Sequence, residues 1–498
     1  MAPATPQQST EKAQSAAPAH HAAPVVPHSA PKVDPAVALA VRRAKPPRAK
    51  FWRPLLRMVI FHIYFLPLTV GVALPALILK NLLPFMRTHP QWSFLQALSV
   101  SVVRWAMHNF IALRLQPIAP REGGWRESPN FLAALLVTLN LSGPGGFAAV
   151  RRPQKVVKAA KKQTHGHDRV WMDAPPLEYF RGLLTIHSGS SSAMVRSPTY
   201  TGPPLVDPSW AKARTRAFWF MRKAGEAPPE LDGSKRDRPV ILYFHGGAGV
   251  TFAAGDIFMG QTLARNLAST TGIDVFSVDY ALAPHGAFPI PVTQALAAWL
   301  HLQSMGYAPD QIFLGGDSFG SHLSLALERY LRLEMPALHG EGHSQKPLGM
   351  ILLSPWVSAV DQHWPSREDN IKYDIITRSF PIWGLDAMRV GPKHKHRNGT
   401  LANLENPWIS PVNQPKEEYA QHCPAFVANG ALECLLDEGK EFVKRSRSAG
   451  AAVEYVCVAL EPHDFFTMST SVQASRGVYR KIGTWARKLL DNRPYELA

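Results

Sequence analysis

A strand–turn–helix signal with a serine at its bend constrains this chain more than any other feature. The apolar residues 311–314 lead into Gly315-Gly316-Asp317-Ser318-Phe319-Gly320, and a helical stretch, residues 321–331, follows. Its core is G-x-S-x-G, in which the glycines let strand and helix approach closely and leave the serine hydroxyl exposed at the C-terminal edge of a sheet. The pattern also occurs by chance, so it needs support from the rest of the chain.

From about residue 210 onward, short apolar strands alternate with helical stretches. This rhythm is typical of an α/β fold with a mostly parallel sheet. Residues 361–410 break it with aromatic side chains among polar turns, and we interpret them as an insertion above the C-terminal edge of the sheet, where a lid would lie. The predicted strands are 240–244, 274–278, 311–314, 350–353, 425–428 and 453–458, and helices are predicted at 256–269 and 291–305.

The positive charge of the chain is concentrated near its N-terminus. The net charge is +17, and residues 1–170 hold 22 basic against 5 acidic side chains, whereas the remainder is balanced. The basic residues do not follow the pattern of a recognised nucleic-acid-binding fold, so we expect no nucleic-acid partner. The distribution fits basic residues that flank a membrane span. The three cysteines are too few for a disulfide framework. Buried, unreactive thiols are favoured, and one disulfide with one free thiol is the alternative.

The first 80 residues indicate a membrane anchor. Residues 1–50 are rich in Ala, Pro, Ser and His without apolar periodicity, which predicts disorder. Residues 58–79 are apolar and long enough to cross a bilayer as a helix, although Pro67 and Pro75 interrupt the backbone hydrogen bonds. A surface-lying helix or a buried cap helix is the alternative. The basic residues before the span predict a cytosolic N-terminus and place the rest of the chain in the lumen of the secretory pathway, most simply the endoplasmic reticulum.

Residues 90–209 are predicted to form a helical cap region. Residues 91–115 and 131–141 have the pattern of apolar helices, and residues 151–169 form a basic loop that is either a solvated face or a contact for anionic lipid headgroups. The sequons at Asn140 and Asn398 are compatible with a lumenal location. Two histidine pairs lack further ligands at suitable spacing, and we expect no metal site; they are His165 with His167 and His394 with His396.

The strand at 240–244 ends in His245-Gly246-Gly247-Ala248-Gly249. Small residues directly after a strand let backbone N–H groups turn toward a developing oxyanion, and each such donor lowers a reaction barrier by about 3 to 4 kcal/mol. A dinucleotide-binding loop is the alternative, but Phe252 stands where G-x-G-x-x-G needs its third glycine. A phosphate-binding G-x-x-x-x-G-K-[ST] sequence does not occur either, and we expect no cofactor.

A serine nucleophile needs a base, and the base needs an orienting carboxylate. In folds with a nucleophile at such a turn the chain order is serine, acid, histidine. His463 follows the last predicted strand by five residues and is the candidate base. The loop after the preceding strand offers Glu433, Asp437 and Glu438; Glu433 is nearest the strand and is favoured, with Asp437 kept as the alternative acid.

Taken together, these motifs resemble the hormone-sensitive-lipase branch of the α/β-hydrolases, which includes arylacetamide deacetylase-like and microbial carboxylesterases. H-G-G-[GA] is matched at residues 245–248, G-D-S-x-G at 316–320, and D-Y-x-L-A-P at 279–284. The acidic motif D-x-L-x-D-E-G is matched at 433–439 with Glu433 in its first position. The resemblance covers residues 210–490, within a predicted catalytic domain of residues 210–495.

The resemblance implies an α/β-hydrolase fold and an esterase, lipase or deacetylase activity. It implies that Ser318, His463 and Glu433 are the catalytic triad, and that Gly247, Ala248 and Phe319 donate backbone N–H groups to the oxyanion while Gly246 allows the turn. The Asp279 stretch would brace these loops. The chain departs from the family pattern at Glu433, Phe319, Ser321 and His285. Of these, Phe319 is expected to narrow the acyl side of the site.

The predicted function is therefore hydrolysis of an apolar carboxylic ester through an acyl-enzyme, with a membrane-adjacent cap and no metal or cofactor. Two alternatives remain at this stage. One is a ligand-binding pseudo-hydrolase, and the other is acyl transfer to an acceptor other than water. The sequence predicts neither the oligomeric state nor the physiological ester.

Overall fold

The computed structural model describes residues 33–45, 59–112, 169–188, 194–255, 257–283, 286–339, 345–360, 364–389 and 403–492. Its centre is an eight-stranded sheet in the order β1-β4-β6-β5-β7-β8-β9-β10. The strands of this sheet are β1 (Arg169–Met172), β4 (Thr215–Phe220), β5 (Val240–Phe244), β6 (Asp274–Asp279), β7 (Ile312–Asp317), β8 (Gly349–Leu353), β9 (Ala425–Gly430) and β10 (Val453–Val458). A separate two-stranded ribbon pairs β2 (Val195–Arg196) with β3 (Thr201–Gly202).

Six neighbouring strands of the large sheet are parallel, from β6 to β10, which confirms the predicted α/β class. Residues of β5 alternate between two apolar layers because successive side chains of a strand point to opposite faces. Leu242 and Phe244 belong to one layer, and Ile241 and Tyr243 to the other. The sheet is therefore buried on both faces, as parallel sheets generally are.

Helices cover both faces of the sheet. The helices of eight or more residues are α1 (Pro35–Arg43), α2 (Phe61–Leu82), α3 (Phe94–Ala112), α5 (Ile290–Ser304), α6 (Phe319–Glu334), α9 (Ser379–Arg389), α11 (Leu436–Ser448) and α12 (Val472–Asp491). The shorter ones are α4 (Arg265–Thr271), α7 (Pro336–His339), α8 (Ser366–Asp369) and α10 (Lys416–Ala420). Helix α4 continues a wide helical segment, Ile257–Ala264.

The strand register brings the candidate motifs to one edge of the sheet. Phe244 at the end of β5 pairs with Gly316 near the end of β7, so the glycine-rich loop and the serine turn leave the sheet side by side. Val458 at the end of β10 pairs with Gly430 at the end of β9 in the same way. The loops after four parallel strands thus meet at the carboxyl edge, where ligand sites of open α/β sheets lie.

The N-terminal helices differ in their surroundings. Helix α2 is long and apolar enough to cross a membrane, and most of its side chains are exposed, with Ile63 74% and Leu79 66% exposed. Its wide turns, Phe61–Phe65 and Thr69–Ala73, lie just before Pro67 and Pro75 and keep the helix continuous. In contrast, α3 packs on the body of the protein, and Val102 and Val103 are buried.

The structure departs from the predicted elements at three places. Residues 35–43 form α1 instead of a disordered segment; Asp34 caps this helix through Ala36 N–H, and the Lys212 ammonium donates to the carbonyl of Arg42 at 2.8 Å. The local sequence pattern does not predict β1 and β4. These two strands pair antiparallel and extend the sheet beyond β6.

Several predictions lie outside the described residues. They are most of the segment 1–50, the helix at 131–141, most of the basic loop at 151–169, both sequons, the histidine pairs 165/167 and 394/396, and His285. The three cysteines are described and are free thiols: Cys423 and Cys434 are buried, and Cys457 is exposed.

Candidate active site

Ser318 occupies a sharp turn between β7 and α6. Its φ of 51° and ψ of −116° are strained for a side-chain-bearing residue, which is typical of a nucleophile elbow. A Cβ atom at Gly320 would collide with the Phe244 carbonyl, and one at Gly316 would collide with the backbone of Gly320. The two glycines of G-x-S-x-G are therefore required by the close passage of helix and strand.

His463 lies in the loop after β10, and Glu433 in the loop after β9. The His463 Nδ1 atom is 3.6 Å from Glu433 Oε2, slightly longer than a hydrogen bond, and both side chains are buried. The other carboxylate oxygen of Glu433 accepts a hydrogen bond from the Asn429 side chain. The carboxylate thus lies on the Nδ1 side of the imidazole, which is the side that an orienting acid occupies.

The alternative acids have other partners. Asp437 Oδ2 accepts the backbone N–H of Ser366 at 2.7 Å. Glu438 accepts the N–H groups of Val357 and Ser358 at 2.9 and 3.1 Å and pairs with the buried guanidinium of Arg367. Both side chains thus anchor residues between 357 and 367, while Glu433 is the carboxylate of this motif beside Nδ1 of His463.

A second carboxylate, which the sequence analysis did not single out, faces the histidine. Asp464 Oδ2 is 3.1 Å from His463 Nε2, and Asp464 adopts a left-handed backbone with φ of 47°. Burial by itself lowers the pKa of His463, but the neighbouring carboxylates of Asp464 and Glu433 outweigh it and raise the pKa well above its usual value. Burial raises the pKa of Glu433, against the opposing effect of His463.

The glycine-rich loop has the backbone geometry of an anion-binding turn. Gly247, Ala248 and Gly249 all have positive φ, at 101°, 53° and 66°. The N–H of Gly246 donates to Asp317 Oδ2 at 2.9 Å, whereas the N–H groups of Gly247, Ala248 and Phe319 have no acceptor among the described residues. Consecutive N–H groups in such a turn can bind an oxyanion.

The predicted bracing residues hold this loop from behind. Asp279 forms an ion pair with Arg216 at 2.5 Å and accepts the N–H of Ala254 at 3.1 Å. Tyr280 stacks on His245 with 4.3 Å between ring centroids, and its hydroxyl donates to the His245 carbonyl at 2.5 Å. The Asp279-Tyr280 stretch therefore contacts the loop rather than the cavity.

One cavity beside the candidate residues has a volume of about 30 Å³, which is room for one or two water molecules. It is lined by Ser318, His463, Asp464 and Gly247. Its remaining walls are apolar and come from α3, from the segment after the glycine-rich loop and from residues 375–380; they are Val103, Met107, Phe252, Ile375, Ile376 and Phe380. The ring of Phe319 is not part of this wall, because it is buried against Tyr280, His322 and Trp356. Phe319 therefore does not narrow this cavity, whereas Phe380 of α9 is one of its walls.

Comparison with known proteins agrees with this geometry. Residues 241–467 match the family described as an alpha/beta hydrolase fold. This match and the sheet topology agree that the segment has an α/β-hydrolase fold. This hydrolase domain contains the serine turn, the acidic loop and His463, while α2 and α3 precede it.

The hydrolase is similar to several curated proteins. An esterase of Acinetobacter venetianus is 28% identical over 235 residues, which are 47% of this chain and 70% of that protein. Lipase 2 of a Moraxella species is 26% identical over 343 residues, covering 64% and 73% of the two chains. Esterase LipU of Mycobacterium tuberculosis is 26% identical over 271 residues, covering 54% and 82%.

Solved structures of esterases are also similar to the hydrolase. An esterase from the bacterial hormone-sensitive lipase family is 21% identical with a TM-score of 0.47, covering 74% of this chain and all of that one. A mutant of the esterase E40 is 26% identical with a TM-score of 0.45, covering 55% and 82%.

Proposed function

We propose that this chain is a serine carboxylic-ester hydrolase in which Ser318 is the nucleophile, His463 the base and Glu433 the orienting acid. The observation that carries the proposal is that Ser318 and His463 line the same cavity, with Glu433 beside the ring nitrogen on the far side of the imidazole. Relatives named esterase, lipase and carboxylic ester hydrolase support the reaction class.

In the proposed reaction, Ser318 Oγ attacks the ester carbonyl carbon while His463 Nε2 takes the hydroxyl proton. The carbonyl oxygen becomes an oxyanion and accepts hydrogen bonds from the N–H groups of Gly247, Ala248 and Phe319. Glu433 holds the imidazole tautomer and stabilises its protonated form. The protonated His463 then returns the proton to the leaving alkoxide, which departs as an alcohol.

The resulting acyl-enzyme is an ester of Ser318. A water molecule gives a proton to His463, and its oxygen attacks the acyl carbon. Collapse of the second tetrahedral intermediate breaks the bond to Ser318 Oγ, which regains the proton from His463, and a carboxylic acid leaves. His463 accepts and returns the proton in each of these transfers, and water is the net source of the proton that leaves on the alcohol.

The cavity walls favour an apolar ester. Val103, Ile375, Ile376 and Phe380 present hydrocarbon to the space beside Ser318, and apolar substrate groups bind to such walls by leaving water. A cavity of about 30 Å³ is too small for an ester of more than a few atoms, so we propose that the segment of residues 361–410 moves when substrate binds. An acylated sterol or lipid, or a xenobiotic ester, fits this description.

We further propose that α2 anchors the hydrolase in a membrane. Its 22 residues suffice to span the hydrocarbon core, and the exposed Ile63, Val72 and Leu79 would otherwise contact water. Basic residues precede the helix and favour a cytosolic N-terminus, with the hydrolase domain in the lumen of the endoplasmic reticulum. They are Arg42, Arg43, Lys45, Arg48, Lys50, Arg53 and Arg57.

Hydrolysis of p-nitrophenyl esters with acyl chains of two to twelve carbons tests the reaction and the acyl preference. The purified full-length protein in mild detergent is expected to release p-nitrophenol, and Ser318→Ala to release none above the blank. Addition of a primary alcohol distinguishes acyl transfer, because a transferase would form a new ester at the expense of the free acid. Absence of turnover by folded protein with every ester would contradict the proposed activity.

Alkaline carbonate extraction tests the membrane anchor. The unchanged chain should stay with the membrane pellet, and the triple variant Ile63→Lys, Val72→Lys, Leu79→Lys should be released with its activity in detergent unchanged. Leu231→Lys is the control, since Leu231 is an equally exposed apolar residue outside the helix. Glycosylation at Asn398 would report the lumenal side, and an unmodified chain that proteases reach from the cytosol would contradict this orientation.

A further inference from the structure

One buried carboxylate in the cap insertion joins the two loops that carry His463 and Glu433. Asp374 is fully buried, and its Oδ1 atom accepts the backbone N–H of His463 at 2.9 Å. Its Oδ2 atom accepts the backbone N–H of Cys434, the residue after Glu433, at 2.6 Å. Oδ1 also accepts the N–H of Ile375 at 2.7 Å, which fixes the orientation of the carboxylate.

The two loops leave different strands, and a backbone hydrogen bond of 3.0 Å from the N–H of Leu432 to the carbonyl of Glu461 joins them just before Glu433 and His463. Glu433 follows β9 and His463 follows β10, and the sheet fixes these strands only as far as Gly430 and Val458. The space between Nδ1 of His463 and Glu433 depends on how the loops beyond these points are held. Asn370, four residues before Asp374, adds a second connection through a hydrogen bond of 3.0 Å to the Glu433 carbonyl.

The segment that carries Asp374 is itself held by α3. Arg104 donates from Nη1 to the carbonyl of Asp374 at 2.9 Å and to the carbonyl of Ile371. The same N-terminal region contacts the histidine loop directly, where the Trp92 indole donates to the Leu460 carbonyl at 2.9 Å. The helix next to the proposed membrane anchor is therefore part of the support of the site.

We propose that Asp374 is a positioning residue for the reaction: it holds His463 and Glu433 at their mutual distance through backbone hydrogen bonds, and Arg104 holds Asp374. This inference rests on the proposed function. Asp374 touches neither substrate nor the reacting atoms, so it acts through the two residues that do.

Asp374 also adds negative charge near the imidazole. Four carboxylates face His463 from different elements: Glu433 from the loop after β9, Asp464 from its own loop, Asp317 from the end of β7 and Asp374 from the cap insertion. Each favours the protonated imidazole. Removal of the Asp374 charge should therefore lower the pKa of His463 and move the acid limb of the rate profile to lower pH.

The test is Asp374→Asn, with Asp369→Asn as the matched control, because Asp369 lies in the same insertion and is exposed. Asparagine keeps one carbonyl acceptor but loses the other acceptor and the charge. Against p-nitrophenyl butyrate, Asp374→Asn is expected to lower kcat by about 10 to 100-fold with KM changed less than about 2-fold, as expected for a positioning loss. The acid limb of the pH–rate profile should move to lower pH by about half a unit or more. The Asp369→Asn variant should have the kcat, KM and pH profile of the unchanged protein.

A purely structural role would lower the melting temperature and leave kcat and the pH profile of the folded fraction unchanged, which would overturn the inference. Where Asp374→Asn fails to fold, Arg104→Gln serves instead and should lower kcat about 5 to 10-fold at constant KM; full kcat in that variant would overturn the inference as well. An inactive unchanged protein would overturn the proposed function and this inference with it. An active unchanged protein with an unaffected Asp374→Asn would overturn this inference alone.

Discussion

The Nε2 atom of His463 lies 3.1 Å from the carboxylate of Asp464, the next residue in the chain. In the proposed mechanism this nitrogen takes the proton of Ser318, so Asp464 competes with the serine for it. The opposite nitrogen, Nδ1, lies 3.6 Å from Glu433. The imidazole is thus placed between two carboxylates, and substrate binding must leave Nε2 free to face Ser318.

Asp464 is expected to set the acid limit of activity. The Asp464 carboxylate helps to keep the pKa of His463 raised, and only the neutral imidazole acts as a base, so activity appears as pH rises through that pKa. Asp464→Asn removes the charge and should move the acid limb of kcat/KM to lower pH by about one unit. Asp491→Asn, an exposed site on α12, is the control. Coincident profiles would mean that Asp464 does not act on His463.

Glu433 and Asp437 can be distinguished as the orienting acid. Glu433→Gln should lower kcat by about 10³ to 10⁴-fold, because the imidazole loses the carboxylate that stabilises its protonated form. Asp437→Asn should change kcat less than about 3-fold and cost about 1 kcal/mol of stability through its weakened bond to Ser366 N–H. Both kcat values are measured with the same p-nitrophenyl ester. A larger loss of kcat in Asp437→Asn than in Glu433→Gln would assign the role of the orienting acid to Asp437.

Phe380 is expected to limit acyl length. It lines the cavity from α9, so Phe380→Ala should enlarge the space beside Ser318 and raise kcat/KM for ten- to twelve-carbon esters relative to acetate by about 10-fold. Ile382→Ala on the same helix is the control, since Ile382 is 50% exposed. An unchanged ratio of long-chain to short-chain kcat/KM would place the acyl group elsewhere.

The ion pair between Arg216 and Asp279 is expected to support the glycine-rich loop. Both side chains are buried, and Asp279→Asn leaves the guanidinium without its charge partner, which should cost about 3 to 5 kcal/mol of unfolding free energy. Asp232→Asn, at a pair with Arg236 in which the Asp232 side chain is 50% exposed, should cost much less stability. Denaturant unfolding of both variants in detergent measures the difference, and equal midpoints would contradict the bracing role.

The parallel part of the sheet could be predicted from local sequence because each strand is a short apolar run that ends in a turn signal. The strand at Val240–Phe244 was predicted with its observed bounds. In contrast, β1 follows a basic stretch and β4 contains an arginine, and both become strands through pairing with each other and with β6. Such pairing depends on tertiary contacts rather than on the local pattern.

The residues of the candidate site also divide into those that local sequence predicts and those that depend on tertiary contacts. Ser318, Glu433 and His463 follow strands in motifs that can be recognised locally. Asp374 could not be recognised, because its role depends on an approach to His463 across 89 positions of the chain. Asp464 adjoins His463 in sequence, but its contact with Nε2 depends on a left-handed backbone at Asp464. The sequence pattern does not predict that conformation.

The most direct test of the account is covalent labelling by a fluorophosphonate, followed by mass spectrometry of the digested protein. We expect one adduct, on the peptide that contains Ser318, with labelling lost in Ser318→Ala and slowed by about 10³-fold or more in His463→Ala. Both variants must keep the circular dichroism and melting temperature of the unchanged protein. An adduct on another serine, or undiminished labelling of Ser318→Ala, would contradict the central claim that Ser318 is the nucleophile.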